Sequence, residues 1–291
     1  MKKYYSISDL SEISGIQIQT IRIWESRYRI FTPKRTPTNL RQYSHQDYVK
    51  MILVSFLINR NFRIGKIEQL DPLELRDKVR KELLAQSKDY PEMRAMTVQL
   101  SQGDIKSFAE YLFQCLSDIS PDEFILKSLV PLINNLNVID YIDESNIGNK
   151  LIVRNIIQKD LIVVAENKLQ NSFYNNNNNL LIIRGDNAIS INLFLVHFLA
   201  VVKKYKSDVF LNLIAEDCID VLEKKLKPDV VYTEFNEAKS LSQICDFLDK
   251  IESAFPKAKI IVSGKSLLKY WKNIPNKIYI AHDLEILYKT L

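Results

Sequence analysis

The stretch that most constrains the fold runs from Ser6 to Tyr28, where the sequence predicts a helix, a tight turn and a second helix. Ser6 and Asp9 have the spacing of a capping box, which satisfies free N–H groups at a helix start. Gly15 fits the left-handed position that ends a helix. This layout is typical of a helix-turn-helix DNA reader, and the alternative is a helical hairpin with a basic surface.

The next segment, residues 32–43, is basic and contains two prolines and a turn-forming Asn39. This composition predicts two short strands around a turn, which would form a wing. Cationic and hydroxyl side chains on a wing can reach DNA phosphates. The phosphate contacts that we predict are Lys34, Arg35, Arg41 and Tyr43. A third helix should start at Ser44, with Asp47 as its capping partner, and end near Asn59.

The charge distribution favours a nucleic-acid partner for the same region. Residues 1–70 hold 12 Lys+Arg and 5 Asp+Glu, a net charge of +7. The rest of the chain holds 28 Lys+Arg and 30 Asp+Glu, a net charge of −2. Positive charge concentrated in one segment is the electrostatic footprint of a DNA-binding domain.

Residues 4–70 resemble the MerR family of transcription regulators. The resemblance is carried, in order and spacing, by Ile7 with Leu10, Gly15, Thr20-Ile21-Arg22-Ile23-Trp24-Glu25, Arg27-Tyr28, Pro33-Lys34-Arg35-Thr36, Asn39-Leu40-Arg41-Gln42-Tyr43-Ser44 and Asp47. The Ile-Arg-Ile-Trp-Glu version is similar to the cobalamin-binding, light-sensing (CarH/LitR-like) branch. The resemblance implies a transcription regulator that binds double-stranded DNA.

We therefore expect a sequence-specific, dimeric regulator whose second helix enters the major groove of a palindromic operator. The DNA contacts predicted on that helix are Gln19, Thr20, Arg22, Ile23, Arg27 and Tyr28. Further partners that fit this class are RNA polymerase and a protein or small-molecule effector. Helix-breaking signals at Asp71-Pro72 and Pro91 interrupt the region where short MerR proteins place a long dimer helix. The dimer is therefore expected to form through the wing domain or the sensor.

The predicted fold class is multi-domain α and α/β. A winged helix-turn-helix domain over residues 1–72 precedes a four-helix bundle over residues 73–174. In the bundle we expect a kink at Pro131 and a last helix over about 147–170. Its apolar stripe is predicted to comprise Leu151, Ile152, Ile156, Ile157, Leu161 and Val164. Residues 175–291 alternate strand and helix, which is typical of a doubly wound, flavodoxin-like (cobalamin-binding-like) domain.

Ligands of doubly wound domains bind beyond the carboxyl ends of the strands. The segments predicted to lie there are Gly185 to Ser190, Ile214 to Cys218, Thr233 to Phe235, and Ser263-Gly264-Lys265. Ser263-Gly264 fits both a turn that approaches a ligand and an ordinary tight turn.

The order of the three domains resembles cobalamin-sensing MerR regulators over essentially the full length. That family carries Glu-x-His-x-x-Gly after the first strand, and the histidine ligates cobalt. Asn187, Ile189 and Asn192 occupy the corresponding positions. Ile189 has no lone pair for cobalt, and Asn192 adds a side chain where glycine allows close approach of the corrin.

The family's Trp-x9-Glu-His motif in the bundle also has no counterpart. Lys150-Leu151 replaces Glu-His, and Asp140 or Tyr141 replaces the tryptophan. We therefore expect the architecture to persist without a cofactor. The alternative is a cobalamin-dependent, light-responsive regulator with unusual ligation.

The few candidate ligands and nucleophiles favour neither a metal site nor an enzyme. The three cysteines, Cys115, Cys218 and Cys245, are far apart, so reduced, buried thiols are expected and no metal. His197 lies in an apolar helix and is expected to pack, whereas His282 falls at the ligand-binding edge. The phosphate-loop and nucleophile-elbow patterns are missing. Glu216-Asp217 fits a helix start, and a corrinoid-carrying enzyme module is disfavoured by Ile189.

The sequence contains no apolar run that could cross a bilayer, and its Lys-rich start has no signal-peptide core. A cytoplasmic protein is therefore expected.

Overall fold

The computed structural model describes residues 4–118, 121–142, 148–171, 178–211, 216–275 and 277–291. The chain divides into two compact units. The amino-terminal unit comprises Met1–Tyr111 and Lys127–Val153, and the carboxyl-terminal unit comprises Leu112–Leu126 and Arg154–Leu291. The division into three domains at residues 72 and 174 remains a prediction. Within the described residues, every helix is too short or too polar to cross a membrane.

The amino-terminal unit opens with α1 (Ile7–Ser14) and α2 (Ile18–Tyr28). Ser6 and Asp9 form the predicted capping box. The Ser6 hydroxyl accepts a hydrogen bond from the Asp9 N–H at 3.1 Å, and the Asp9 carboxylate accepts one from the Ser6 N–H at 2.7 Å. Gly15 ends α1 with a φ of 70°, a left-handed conformation that costs glycine no Cβ clash. Local chemistry therefore sets the turn between the two helices.

A two-stranded wing follows, as predicted. β1 (Lys34–Arg35) and β2 (Arg41–Gln42) pair in antiparallel register. Asn39 in the connecting loop has a φ of 63°, a conformation that asparagine tolerates better than most residues. The backbones of Tyr43 and Tyr5 form an additional antiparallel bridge, so the segment that leads into α1 also pairs with the end of the wing.

The second half of α3 (His45–Ile58) is covered on all sides. The helix begins at the predicted capping box of Ser44 and Asp47. Seven consecutive residues, Met51–Leu57, are buried, which is expected of a helix that is apolar around its whole circumference. α3 contacts α1 and the short α4 (Ile64–Ile67).

The middle of the chain is helical. Its elements are α5 (Pro72–Gln86), α6 (Pro91–Ser101), α7 (Ile105–Asp118), α8 (Pro121–Phe124), α9 (Val130–Ile142) and α10 (Asn149–Asn171). A π-helical turn, Ile125–Leu129, joins α8 to α9. It precedes Pro131, which has no N–H to continue the regular hydrogen-bond ladder. α9 packs against α3 as well as against α5 and α6.

The predicted apolar stripe of α10 is partly wrong. Leu151 and Ile152 are 69% and 53% exposed, whereas Val153, Ile157 and Leu161 are buried. The buried residues recur every four positions and therefore share one face of the helix. Apolar residues also occur singly on protein surfaces, so their identity alone did not locate the buried face.

The carboxyl-terminal unit is built around a parallel sheet. Its strands are β3 (Asn179–Arg184), β4 (Lys206–Phe210), β5 (Val230–Glu234), β6 (Lys259–Ser263) and β7 (Tyr279–Ile280). The strands lie in the order β4-β3-β5-β6-β7. Counted from β3 this is the order 2-1-3-4-5, which flavodoxin-like sheets share. The sheet agrees with the predicted α/β organisation.

Helices cover both faces of this sheet. They are α11 (Ile191–Val202), α12 (Glu216–Lys225), α13 (Leu241–Ala254) and α14 (Leu284–Thr290). Leu181, Ile183 and Val231 belong to the core that contains Ile244 and Leu248 of α13. Alternate strand residues point to the opposite face, and α11 and α14 contact each other.

Candidate functional site

One face of α2 is exposed, and the opposite face anchors the helix. Ile21 and Trp24 are 0% and 7% exposed, and burial of such a side chain contributes roughly 1.5–3 kcal/mol. Thr20 is half-buried at the flank. The exposed residues have the spacing i, i+3, i+4, i+7 and i+8, which places them on one surface. They are Gln19, Arg22, Ile23, Ser26 and Arg27.

The cations of this exposed face are available to a ligand. Within the described residues, Arg22 and Arg27 have no acidic partner. The Arg27 guanidinium lies 5.5 Å from the centre of the Tyr28 ring. Tyr28 is half-buried, and its ring would lie 3.3 Å from a Cβ at Gly65, so it packs against α4. Unpaired guanidinium groups suit phosphates and guanine edges.

The wing adds two further exposed cations, Lys34 and Arg35. The Arg35 guanidinium donates a hydrogen bond of 2.7 Å to the side-chain oxygen of Asn39. Leu40, at the tip of the wing, is 66% exposed. Both cations are therefore exposed on the wing, and their contact with phosphates stays a prediction.

Glu25 fastens the wing to α2. Its carboxylate accepts a hydrogen bond of 2.8 Å from Nε of Arg41 and another from the Tyr43 hydroxyl. The hydrogen bond to Glu25 raises the pKa of Arg41. With Nε engaged, a phosphate contact by Arg41 would use its terminal nitrogens. Sequence reasoning did not identify this role of Glu25, because its partners lie 16 and 18 residues further along the chain.

The structure removes Tyr43 from the predicted phosphate contacts. Its side chain is fully buried, and its hydroxyl is engaged by Glu25. Burial, and then the hydrogen bond to Glu25, raise its pKa far above the ordinary value. A buried hydroxyl that already donates to a carboxylate cannot also donate to a phosphate. Tyr43 instead orders the wing from within.

The fold and this surface define a winged helix-turn-helix domain with a cationic recognition helix. Residues 5–73 match the family model described as MerR HTH family regulatory protein. The same part of the chain is similar to the HTH-type transcriptional repressor CarH of Myxococcus xanthus, with 31% identity over 71 residues. That alignment covers 24% of this chain and 24% of the relative's length. The protein therefore carries a MerR-type helix-turn-helix domain at its N-terminus, and these similarities support a transcription regulator.

A second polar site lies at the carboxyl edge of the parallel sheet. Three of the four segments predicted there meet. The Gly185 N–H donates to the Glu234 carbonyl at 3.2 Å, and the Lys265 N–H donates to the Asn236 side chain at 3.4 Å. In the fourth segment, residues 214 and 215 and the side chains of residues 216–218 lie outside the described residues.

Backbone geometry at this edge depends on Gly264. It has a φ of 116°, and a Cβ there would lie 2.2 Å from the carbonyl oxygen of Phe235. Asp186 also shapes the edge, since its buried carboxylate accepts the N–H groups of Asn236 and Glu237. The close approach of two loops therefore accounts for Ser263-Gly264.

The edge also contains an acid that sequence reasoning did not single out. Glu234, the last residue of β5, is 1% exposed. Desolvation by burial raises its pKa from 4.5 to about 7. The signal in the sequence was a glutamate directly after the apolar Val-Val-Tyr-Thr run, a place where an acid is expensive to bury.

The remaining candidate residues are histidines, cysteines and a tryptophan, and they differ in burial. His197 packs as predicted: it is 3% exposed, its Nδ1 lies 3.0 Å from the Ser207 hydroxyl, and burial lowers its pKa to about 4. Cys115 is buried, but Cys245 is only half-buried. Trp271 is 49% exposed and meets the exposed His282 edge to face, with ring centres 6.3 Å apart.

Proposed function

We propose that this protein is a sequence-specific, dimeric DNA-binding transcription regulator of the cytoplasm whose carboxyl-terminal unit is a sensor or oligomerisation module. The observation that carries the proposal is the exposed face of α2 beside the basic wing, where Arg22 and Arg27 have no acidic partner among the described residues. The MerR-type match of residues 5–73 supports it. RNA polymerase and an effector are the further partners of such a regulator.

Each side chain of this surface suits one kind of DNA contact. Arg22 suits the two acceptors of guanine, and Gln19 suits adenine, which presents one donor and one acceptor in the major groove. Ile23 offers an apolar surface to a thymine methyl group. Lys34 and Arg35 on the wing would hold phosphates and fix the register of α2.

Mutagenesis distinguishes base contacts from phosphate contacts. An operator is first selected from random duplex DNA, and binding is then measured by fluorescence anisotropy across a range of salt concentrations. Arg22→Ala should weaken operator binding by roughly 1–3 kcal/mol while affecting unrelated DNA much less. Lys34→Ala should weaken binding to both DNAs and reduce the salt slope by about 1. An equal loss on both DNAs for Arg22→Ala would assign Arg22 to phosphates.

The matched control is Lys257→Ala, which removes one exposed positive charge from the carboxyl-terminal unit. It should leave affinity and salt slope unchanged. If the wild-type protein selects no sequence, or if Lys257→Ala has the same effect as Lys34→Ala, the proposed interface is wrong.

The dimer is tested by the spacing of half-sites in the selected operator. A symmetric dimer places its two recognition helices about one helical turn of DNA apart, or a multiple of it. Inserting about five base pairs, half a helical turn, between the half-sites should abolish tight binding, and removing the insertion should restore it. Equal binding to a single half-site would contradict a dimeric reader.

The proposed loss of cobalamin binding rests on Ile189. This side chain is 55% exposed at the position where the resembling family has its cobalt ligand, and a hydrocarbon cannot ligate cobalt. The residues present therefore do not fit the group. Titration with adenosylcobalamin, in the dark and after illumination, should show no bound corrin by absorbance and no change of oligomer on gel filtration. Retained corrin would support the light-responsive alternative.

A further inference from the structure

A cavity of about 180 Å³ lies at the carboxyl edge of the sheet, between α11 and α14. Its polar lining includes Asn192, Tyr232, Asn236 and Ser263. Leu287, on α14, supplies apolar surface to the same cavity. A concave site with a few converging polar groups at this edge has the general character of a small-molecule site.

Glu234 is a buried acid that lies close to this cavity without lining it. Neither of its carboxylate oxygens has a hydrogen-bond partner among the described residues. Ser190, Asn236 and Tyr232 interact with its carboxyl, and the last two also line the cavity, so one side chain separates the carboxyl from the cavity. Tyr232 and Glu234 are two residues apart on β5 and therefore face the same side of the sheet.

The neighbouring cation does not neutralise this acid. Arg184 is paired with Glu234 across the β3–β5 ladder. Its guanidinium donates instead to the carbonyl oxygens of Leu211 and Asn187, and the described residues show no ion pair between Arg184 and Glu234. Asp186, on the loop before α11, adds a second negative charge that raises the pKa of Glu234 further. The described residues therefore leave the ionised form of this carboxyl without an ion-pair partner.

Asn236 provides access from the cavity to the carboxyl. Its side-chain nitrogen is buried and has no hydrogen-bond partner in the described structure. Its side-chain oxygen accepts one long hydrogen bond, of 3.4 Å, from Lys265. Rotation of this amide would break that long bond and the interaction with Glu234, and it would open the wall between the cavity and the carboxyl.

We propose that the cavity binds a small organic cation whose ammonium or amidinium group donates hydrogen bonds to Glu234 and whose hydrocarbon part lies against Leu287. A buried carboxylate without an ion-pair partner is the group that such a cation stabilises most. The proposal rests on the proposed function, because it names the ligand class of the carboxyl-terminal sensor.

The test is calorimetric titration of the full-length protein with primary alkylammonium ions from propyl to pentyl. The matched neutral probes are the alcohols of the same length. The ammonium ions should bind at least tenfold more tightly than the alcohols. Glu234→Gln should weaken ammonium binding at least tenfold. Glu237→Gln, which changes an exposed acid three residues further on, should leave it unchanged.

Proton release provides a readout that needs no variant. Glu234 has a pKa of about 7 in the free protein, so most of it is protonated at pH 6, and a bound cation would drive the proton off. Titrations at pH 6 in buffers of different ionisation enthalpy should therefore show release of about one proton per ligand, falling towards zero at pH 8.5. This readout holds even if Glu234→Gln does not fold.

Three results would overturn the proposal: no binding, equal binding of alcohols, or ammonium binding without proton release at pH 6. DNA binding by the same preparation keeps the two conclusions separate. Operator binding without cation binding would refute the ligand class and leave the regulator standing. Cation binding without operator binding would refute the proposed regulator and leave the ligand class standing.

Discussion

Glu234 should make the stability of the carboxyl-terminal unit fall as pH rises. Its pKa is about 7 in the folded protein and 4.5 is the ordinary value, so the folded state holds this proton more tightly than the unfolded state. The difference of about 2.5 pH units corresponds to about 3 kcal/mol at 1.36 kcal/mol per unit. This stabilisation is fully present below pH 4.5 and is lost as pH rises from 4.5 through 7.

Replacement of Glu234 with glutamine should remove this pH dependence, because the amide does not ionise. Relative to wild type, Glu234→Gln should gain about 3 kcal/mol of unfolding free energy between pH 4 and pH 8. His197 acts in the opposite direction. Its pKa is lowered from 6.5 to about 4, so its contribution to stability is lost as pH falls from 6.5 to 4. That contribution is common to both proteins and cancels in the difference.

Urea unfolding followed by tryptophan fluorescence measures the effect. Trp271 lies in the same unit as Glu234, and Trp24 lies in the other. Both proteins are therefore compared in a Trp24→Phe background, where the signal comes from Trp271. Glu237→Gln should show no pH-dependent gain. A constant difference between Glu234→Gln and wild type at every pH would mean that Glu234 ionises normally, which would refute the burial argument.

Two further predictions concern packing. Tyr43→Phe leaves the Glu25 carboxylate with one partner fewer and should cost roughly 1–3 kcal/mol in thermal denaturation, while the salt slope of DNA binding stays unchanged. A reduced salt slope of DNA binding would mean that Tyr43 does contact phosphate. Gly264→Ala forces a Cβ to within 2.2 Å of the Phe235 carbonyl at a φ of 116°, so its loss of stability should exceed about 3 kcal/mol. Gly15→Ala, where a Cβ meets nothing within 4 Å, should cost only about 1 kcal/mol. Similar losses at both glycines, measured by urea unfolding, would contradict the clash.

Features set by neighbours in sequence were predictable. The capping boxes at Ser6 and Ser44 and the left-handed Gly15 depend on residues within three positions, and the structure confirms them. The helix-turn-helix layout of residues 6–28 was also predicted, whereas the structure identified Ile21 and Trp24 as the anchors of the buried face of α2. Sequence patterns therefore predict those features whose interacting residues lie within a few positions of each other.

Features that depend on distant partners were missed. The sequence predicts that Thr233 to Phe235 lie beyond the carboxyl end of their strand, and glutamate is uncommon within strands. Pairing with β3 and β6 extends the strand to Glu234. The sequence predicts Tyr43 as an exposed wing residue, but its hydroxyl donates a hydrogen bond to the Glu25 carboxylate of α2. Neither partner can be identified from spacing along the chain.

The enclosure of α3 limits how this regulator can be recombined with others. Its buried residues Met51–Leu57 pack partly against α5 and α9, which lie beyond residue 72. A fragment cut at residue 72 would present that apolar surface to water and would tend to aggregate. The DNA-binding domain could therefore be exchanged between such proteins only together with the helices that cover α3. One of those helices, α9, lies more than fifty residues beyond that cut, so a functional chimera would need two junctions instead of one.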